Sequence, residues 1–212
     1  MELERSLPRQ EMNAARWALL AGNFVIGCGV MVVGGTLNDL TKSLSISVMQ
    51  GGHLIAIAAL MMGVGAPLLA AAVAHIDRRK LLTWAMLWYG LGHALCALAP
   101  DYAWLWPVRA LTVLSAAVFT PQAAATMGFM SVPAHRGRNI TFVFMGWSVA
   151  SVAGMPLAAW IGERMGWRLA MLLVAAGALF SARLVSQSLP AGIRPPALSM
   201  RSWRKVFRSP LL

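Results

Sequence analysis

Six long apolar stretches separated by short polar gaps run along this chain of 212 residues. A helix needs about 20 apolar residues to cross the roughly 30 Å hydrocarbon layer of a membrane, and the stretches reach or approach that length. Charged residues make up only 12% of the chain, about half of their share in soluble domains. The sequence therefore predicts an all-α integral membrane protein with six transmembrane helices, at residues 17–37, 51–74, 81–99, 103–132, 139–162 and 167–189.

The basic residues lie in alternate gaps between these stretches. Of the 18 Lys and Arg residues, Lys42, Arg164 and Arg168 fall on one side and all others except Arg109 on the opposite side. Short loops rich in Lys and Arg stay in the cytoplasm, so we expect both termini to be cytoplasmic. The net charge of +11 then needs no nucleic-acid partner, because no soluble domain presents it as a basic patch.

The polar ends of the chain flank the predicted bundle. We expect residues 1–16 to form a cytoplasmic N-terminal segment, residues 17–189 the six-helix bundle, and residues 190–212 a cytoplasmic linker. The linker carries several prolines and basic side chains, which is typical of an extended connection. Its last residues, from Ser209 to Leu212, look like the first turn of another helix. We therefore expect the chain to stop as a seventh span begins.

A series of small residues recurs every fourth position in the predicted fifth span, and Pro156 lies within it. Such a ridge lets a second helix approach closely, which favours association in a membrane where the hydrophobic effect does not drive it. Ordinary close packing and a sliding contact between helices are both consistent with this pattern. The ridge consists of Gly146, Ala150, Gly154, Ala158 and Gly162.

Four segments carry motif-like patterns in a fixed order along the chain. They are residues 65–69 with 77–82, residues 105–111 around Arg109, residues 136–138, and residues 146–157 followed by Gly166, Trp167 and Arg168. Together they resemble the signature motifs of the major facilitator superfamily and, within it, of the bacterial drug and sugar efflux antiporters. The resemblance covers nearly all of residues 17–189.

The resemblance implies the amino-terminal half of a major facilitator fold, in which two six-span halves enclose a substrate site at the membrane midplane. It implies a secondary active transporter of the bacterial inner membrane, exporting a small organic molecule in exchange for protons by alternating access. The expected partners are this substrate, protons, the lipid bilayer and a carboxy-terminal six-span half. A half-size protein acting as a homodimer and a non-functional truncated product remain alternatives.

The loop between the second and third spans is the expected gating loop, with Asp77, Arg78 and Arg79. In the resembled family an Asp and an Arg stand at the positions of Ala74 and His75. The first acidic residue of this loop, Asp77, comes three residues after Ala74.

Arg109 is the leading candidate for a functional side chain within a span. An arginine facing lipid near the middle of a helix costs on the order of 3 kcal/mol, so its presence there needs a reason. Either its long side chain snorkels to the surface, or it faces a cavity and serves substrate binding or proton coupling. Helical spacing places Thr112, Ala116 and Thr120 on the same face. In the first span, Asn23 is a candidate for substrate contact or for an interhelical hydrogen bond.

The remaining candidates carry weaker signals. His53 and His93 titrate near neutral pH in their ordinary state, but the resemblance places the third span at the periphery, so we expect His93 to be structural or interfacial. Met31 and Trp147 are candidates for contact with an apolar substrate. No nucleophilic constellation, phosphate loop or zinc-ligand spacing occurs. We therefore expect no catalytic residues, no metal site and no cofactor, and an enzyme is disfavoured.

Overall fold

The computed structural model describes residues 8–194, and every element in that range is helical. A 3-10 turn, Pro133–His135, precedes α6 (Arg136–Val149), and a π-helical turn, Ala150–Gly154, joins α6 to α7 (Met155–Met165). The fifth span is therefore α6, the π turn and α7 together. The helices are α1 (Arg9–Gly35), α2 (Leu37–Ser43), α3 (Val48–Ala72), α4 (Arg78–Ala97), α5 (Tyr102–Met130), α6 (Arg136–Val149), α7 (Met155–Met165) and α8 (Trp167–Ser188).

Polar side chains in the gaps fix where the spans begin. Ser47 and Gln50 form a reciprocal cap before α3, in which each side chain accepts the other residue's backbone N–H. Asp77 caps α4 by accepting from the backbone of Lys80 at 3.1 Å, and Asp101 caps α5 in the same way. These caps satisfy N–H groups that the first turn of a helix leaves without partners.

The predicted all-helical membrane fold is confirmed. Within the described residues, five helical segments are long and apolar enough to cross a membrane, namely α1, α3, α5, the fifth span and α8. The remaining predicted span, α4, has 20 residues, and its first turn consists of Arg78, Arg79 and Lys80. The helix α1 begins at Arg9, eight positions before the apolar stretch at residue 17. The predicted end of the linker and the start of a seventh span, in 195–212, lie outside the described residues.

The spans pack around a core shared by four helices. On one side α4 packs between α5 and α8, while α1 packs against both α8 and the fifth span, and α3 packs against α5. Large side chains in this core include Ile26 of α1, Met86 of α4, Phe119 of α5 and Met171 of α8, and each of them is fully buried. The four helices that supply these side chains position the candidate site.

One side of the bundle is left open between α3 and the fifth span. In the most apolar stretch of α3, 17% of the residues are buried, against 50% in α5. The corresponding share in the fifth span is 22%. The two least buried spans thus flank the open side, which we call the open face.

The end of the bundle opposite the chain termini is held by a short helix that the sequence pattern did not predict. Asp39 of α2 accepts a hydrogen bond at 2.7 Å from the backbone N–H of Trp167, the first residue of α8. Arg168 donates to the Ser43 hydroxyl and to the Ala99 carbonyl. Gly166 turns the chain between α7 and α8 at a φ of 91°, which favours glycine because it lacks a Cβ. These contacts tie α2, α8 and the end of α4 together.

Candidate functional site

Arg109 lies at the centre of the bundle with none of its surface exposed. Its Nη2 donates to the backbone carbonyls of Gly29 at 2.9 Å and Val30 at 3.1 Å, both in α1. Its Nη1 lies 3.2 Å from Nε2 of His93 in α4. The guanidinium therefore joins α5 to α1 and α4. Arg109 does not snorkel to a surface here, and in this conformation it does not line an open cavity.

His93 completes this arrangement, and of the two roles expected for it, structural or interfacial, its position agrees with the structural one. The imidazole is fully buried, because α1 and α5 both approach α4 at this level. Its Nδ1 lies 2.9 Å from the Tyr89 carbonyl, one turn earlier in α4. The sequence signal was weak, since a single histidine in an apolar helix has no spacing that links it to Arg109. We call Gly29, Val30, Tyr89, His93 and Arg109 the Arg109 cluster.

The absence of a side chain at Gly29 makes room for the cluster. A Cβ at this position would lie 2.7 Å from His93 Nε2 and would also meet the Tyr89 hydroxyl. That hydroxyl donates to the Ile26 carbonyl at 2.9 Å. The carbonyls of Ile26, Gly29 and Val30, which lie on one face of α1, thus accept hydrogen bonds from side chains of α4 and α5.

The other polar residues singled out from the sequence lie in three different places. Thr112 is buried against Gly92 of α4, and its hydroxyl donates to the Val108 carbonyl at 2.7 Å. Asn23 is fully buried and donates to the Val143 carbonyl at 3.3 Å, which is an interhelical bond between α1 and α6. Thr120 lies on the open face. Arg109 and Thr120 are therefore not brought together, although they are on one helix.

The open face holds a cavity of about 350 Å³ near the middle of the fifth span. We call it the open cavity. One wall comes from Met62 of α3, the back from Thr120 of α5, and the other wall from α6. The α6 wall presents two aromatic rings and a hydroxyl, those of Phe144, Trp147 and Ser148. Trp147 was expected from the sequence to meet an apolar molecule, whereas Met62 and Phe144 carried no distinguishing signal. Met31 is not among the lining residues.

The expected gating loop is anchored to the chain that follows α8. Asp77 accepts from the backbone N–H of Gly192, and the Arg78 N–H donates to the Ile193 carbonyl at 3.0 Å. The Arg78 guanidinium donates to the carbonyls of Val73 and Ala74 at the end of α3. Arg79 is half-buried. The loop thus links the α3–α4 connection to the segment leaving α8.

The small-residue ridge of the fifth span lies against α1. A Cβ at Gly146 would lie 2.8 Å from the backbone nitrogen of Phe24, and one at Gly154 would lie 2.9 Å from the Cys28 sulfur. Gly27 of α1 meets Ala150 in the same way. Pro156 follows the π turn, and its missing N–H removes a helical hydrogen bond at that point, which accounts for the local widening of the helix.

Comparisons with known proteins agree with this architecture. The chain belongs to the major facilitator superfamily, whose family model matches residues 19–212. Its members are membrane transporters. The inner membrane transport protein YdhP of Escherichia coli is 34% identical over 189 residues, which are 87% of this chain and 48% of YdhP.

Two further relatives carry names that state a cargo. The chloramphenicol resistance protein of Streptomyces lividans is 30% identical over 79% of this chain and 43% of its own length. A chloramphenicol efflux pump of Mycobacterium tuberculosis is 31% identical over 74% of this chain and 38% of its own length. The chain spans less than half the length of each of these relatives.

Solved structures show the same fold. A peptide transporter of the POT family superposes with a TM-score of 0.77 at 16% identity, over 97% of this chain and 46% of the transporter. The proton:xylose symporter XylE superposes with a TM-score of 0.69 at 15% identity, over 86% of this chain and 45% of the symporter. At these identities the match concerns the fold alone.

Proposed function

We propose that the complete protein is a proton-coupled exporter of small, uncharged organic molecules in a bacterial inner membrane, and that this chain is its amino-terminal half. The observation that carries the proposal is the open cavity, which α3, α5 and α6 leave unclosed in a chain spanning less than half of its relatives. Transporters of this architecture bind substrate at the midplane between two halves. A carboxy-terminal six-span half is the partner that would close the open cavity.

The lining of the open cavity supports an uncharged substrate. Among the described residues that line it, two are aromatic, one is a methionine and two carry hydroxyl groups. Aromatic rings and a flexible thioether bind apolar and aromatic molecules of varied shape. The exposed Ser148 hydroxyl supplies a hydrogen-bonding group for orientation, whereas the Thr120 hydroxyl oxygen is buried behind the cavity surface. The named cargo of two relatives, chloramphenicol, is therefore a reasonable first probe.

In this proposal Arg109 serves coupling rather than direct substrate contact. The Arg109 guanidinium joins α1, α4 and α5 behind the open face. A change in its partners alters how α1 packs against α5, and the fifth span rests on α1 through the small-residue ridge. Asn23 adds a second tie between α1 and α6. Through these contacts, a change in charge near Arg109 is transmitted by α1 to the α6 wall of the open cavity.

The test is transport by the complete protein in liposomes under an imposed pH gradient. A panel of neutral drugs, sugars and amino acids, starting with chloramphenicol, is measured with and without a protonophore. We expect gradient-driven accumulation of a neutral aromatic compound that the protonophore abolishes. Uptake no faster than in protein-free liposomes across the panel would contradict the proposal.

A matched pair of variants tests the cavity assignment. Trp147→Ala removes an aromatic wall of the open cavity, while Trp160→Ala removes an exposed ring of α7 that does not line it. We expect the first variant to raise the KM by at least about tenfold, as loss of about 1.4 kcal/mol of binding does, and the second to transport normally.

A further inference from the structure

One buried ionisable group, His93, has two different partners for the same ring nitrogen. Its Nε2 lies 3.2 Å from Nη1 of Arg109 and 3.4 Å from the carbonyl oxygen of Gly29. The other ring nitrogen, Nδ1, faces the Tyr89 carbonyl at 2.9 Å. Of the two partners of Nε2, the Arg109 guanidinium can only donate a hydrogen bond and the Gly29 carbonyl can only accept one.

These partners determine the form of the ring in the observed arrangement. A guanidinium carries five N–H donors and no acceptor. His93 Nε2 must therefore present its lone pair to Arg109, and the single ring proton must lie on Nδ1, where it is donated to Tyr89. The Gly29 carbonyl at 3.4 Å then has no hydrogen to receive from His93. The ring is neutral, with its proton on Nδ1.

A proton added to His93 reverses the contact at Nε2. Nε2 becomes an N–H donor and repels the Arg109 guanidinium, because two positive charges now lie 3.2 Å apart. The nearest acceptor for the new N–H is the Gly29 carbonyl, which already accepts from Nη2 of Arg109 at 2.9 Å, while the Tyr89 carbonyl keeps the Nδ1 proton. Proton binding therefore displaces Nη1 and makes His93 and Arg109 compete for the Gly29 carbonyl, while the Val30 carbonyl stays available to Nη2.

The surroundings offer no second charge to His93 within the described residues. The ionisable groups near it are Tyr89 and Cys96 of α4 itself, Arg109 of α5 and Cys28 of α1. The basic residues of α8 are elsewhere, since Arg168 contacts the far end of α4 and Arg183 is exposed. Arg109 is thus the one cation that competes with a proton for Nε2 in this part of the chain.

We propose that Nε2 of His93 is a proton-binding site at which a proton and the Arg109 guanidinium exclude each other. The proton comes from water, forms the Nε2–H bond and converts the imidazole to imidazolium, and no other covalent bond changes. Protonation of Nε2 breaks the hydrogen bond between His93 and Nη1 of Arg109, which joins α4 to α5. The use of this site in coupling rests on the proposed proton-driven transport, but its existence does not.

Nitrogen-15 NMR of the complete protein, labelled at histidine, tests the site without any transport. His93→Gln identifies the His93 signals by their loss, and the glutamine oxygen still accepts from Arg109. In the wild-type protein we expect the neutral tautomer with its proton on Nδ1, and no imidazolium signal from His93 at about pH 6, near the ordinary midpoint of histidine. In Arg109→Met we expect the imidazolium signal to appear at a higher pH than in the wild type when both are titrated, because the competing cation is gone while the ring stays buried.

The control is Arg168→Met, which removes partly exposed arginine contacts that do not involve His93 and should leave the His93 signals unchanged. A wild-type proton on Nε2 would overturn the proposal even if Arg109→Met failed to fold. Identical His93 signals in the wild type and in a folded Arg109→Met would also overturn it. Neither outcome depends on whether the protein moves any substrate, so failure here is distinct from failure of the proposed function.

Discussion

Arg109 is the residue on which the account of coupling depends. Arg109→Ala removes three hydrogen bonds and one positive charge from the core. Membrane insertion should remain near normal, because a span without a charge inserts more easily. The carbonyls of Gly29 and Val30 keep their places in α1, so the bundle should still fold. Transport in vesicles should fall by at least about a hundredfold if about 3 kcal/mol of the coupling interaction is lost.

Arg109→Lys separates this role from simple retention of charge. A lysine keeps the positive charge but loses the planar group that binds several acceptors at once. It cannot reach Gly29, Val30 and His93 together, so we expect only partial recovery of the transport rate. A lysine variant with the wild-type rate would mean that the geometry of the guanidinium is unimportant.

The sequence singled out Arg109 as a candidate but did not indicate its partners. A charge inside an apolar span is costly wherever it occurs, so position alone was enough to make Arg109 a candidate. The acceptors are main-chain carbonyls about 80 residues earlier in the chain, and carbonyls leave no trace in a sequence. Thr120 was assigned to the face of Arg109 by helical spacing, yet it lies on the open face. Helical spacing shows which residues of one helix share a face, but it does not show which residues of other helices pack against each of them.

Among the elements, the contact between α1 and the fifth span is the most sensitive to side-chain size. Gly146→Ala places a methyl group against the main chain of α1 at Leu20 and Phe24, and main chain gives way less easily than a side chain. Overpacking of this kind costs about 1–3 kcal/mol. We expect a lower midpoint in a thermal-stability assay of the complete protein in detergent, together with slower transport.

Gly137→Ala is the matched control, because a Cβ at that position of α6 has no neighbour within 4 Å. It should leave the thermal midpoint unchanged or raise it slightly through higher helix propensity. If both variants melt at the same temperature, the close approach of α1 and α6 does not contribute to stability.

The sequence predicted the ridge as a contact surface but left its partner open. Small residues every four positions define a face of the fifth span, and α1 also contains glycines that match it in the structure, such as Gly27 and Gly35. The π turn was not foreseen, although Pro156 marks the position where a helical hydrogen bond is missing. The short helix α2 was also missed, because it lies in a polar gap without a long apolar pattern.

For the whole molecule, the distribution of Lys and Arg predicts the orientation. Reporter fusions after Arg16, Lys80 and Arg138 should report a cytoplasmic location, and fusions after Asp101 and Arg164 an external one, since basic loops remain in the cytoplasm. Fused positions on the same side are separated by an even number of predicted spans, and positions on opposite sides by an odd number. One inverted pair of reporters would show that a predicted span does not cross the membrane.

Much of the whole-molecule architecture was predictable because membrane spans have a simple physical signature. Length and apolarity define a span, and the orientation that the basic residues indicate stays a prediction. The open face was not predictable in this way. An apolar side chain facing lipid and one facing a substrate cavity look alike in a sequence, and only the packing of α3 and the fifth span separates them.

The proposed export requires that the open cavity lie on a water-accessible pathway in the complete protein. The measurement is the labelling rate of a single cysteine by a membrane-impermeant maleimide, after Cys28 and Cys96 have been replaced by alanine. Ser148→Cys places the thiol in the open cavity, and Phe180→Cys places it on an exposed surface of α8 that lipid should cover. We expect rapid labelling at position 148 and little at position 180. Equal protection of both positions from either side of the membrane would contradict it.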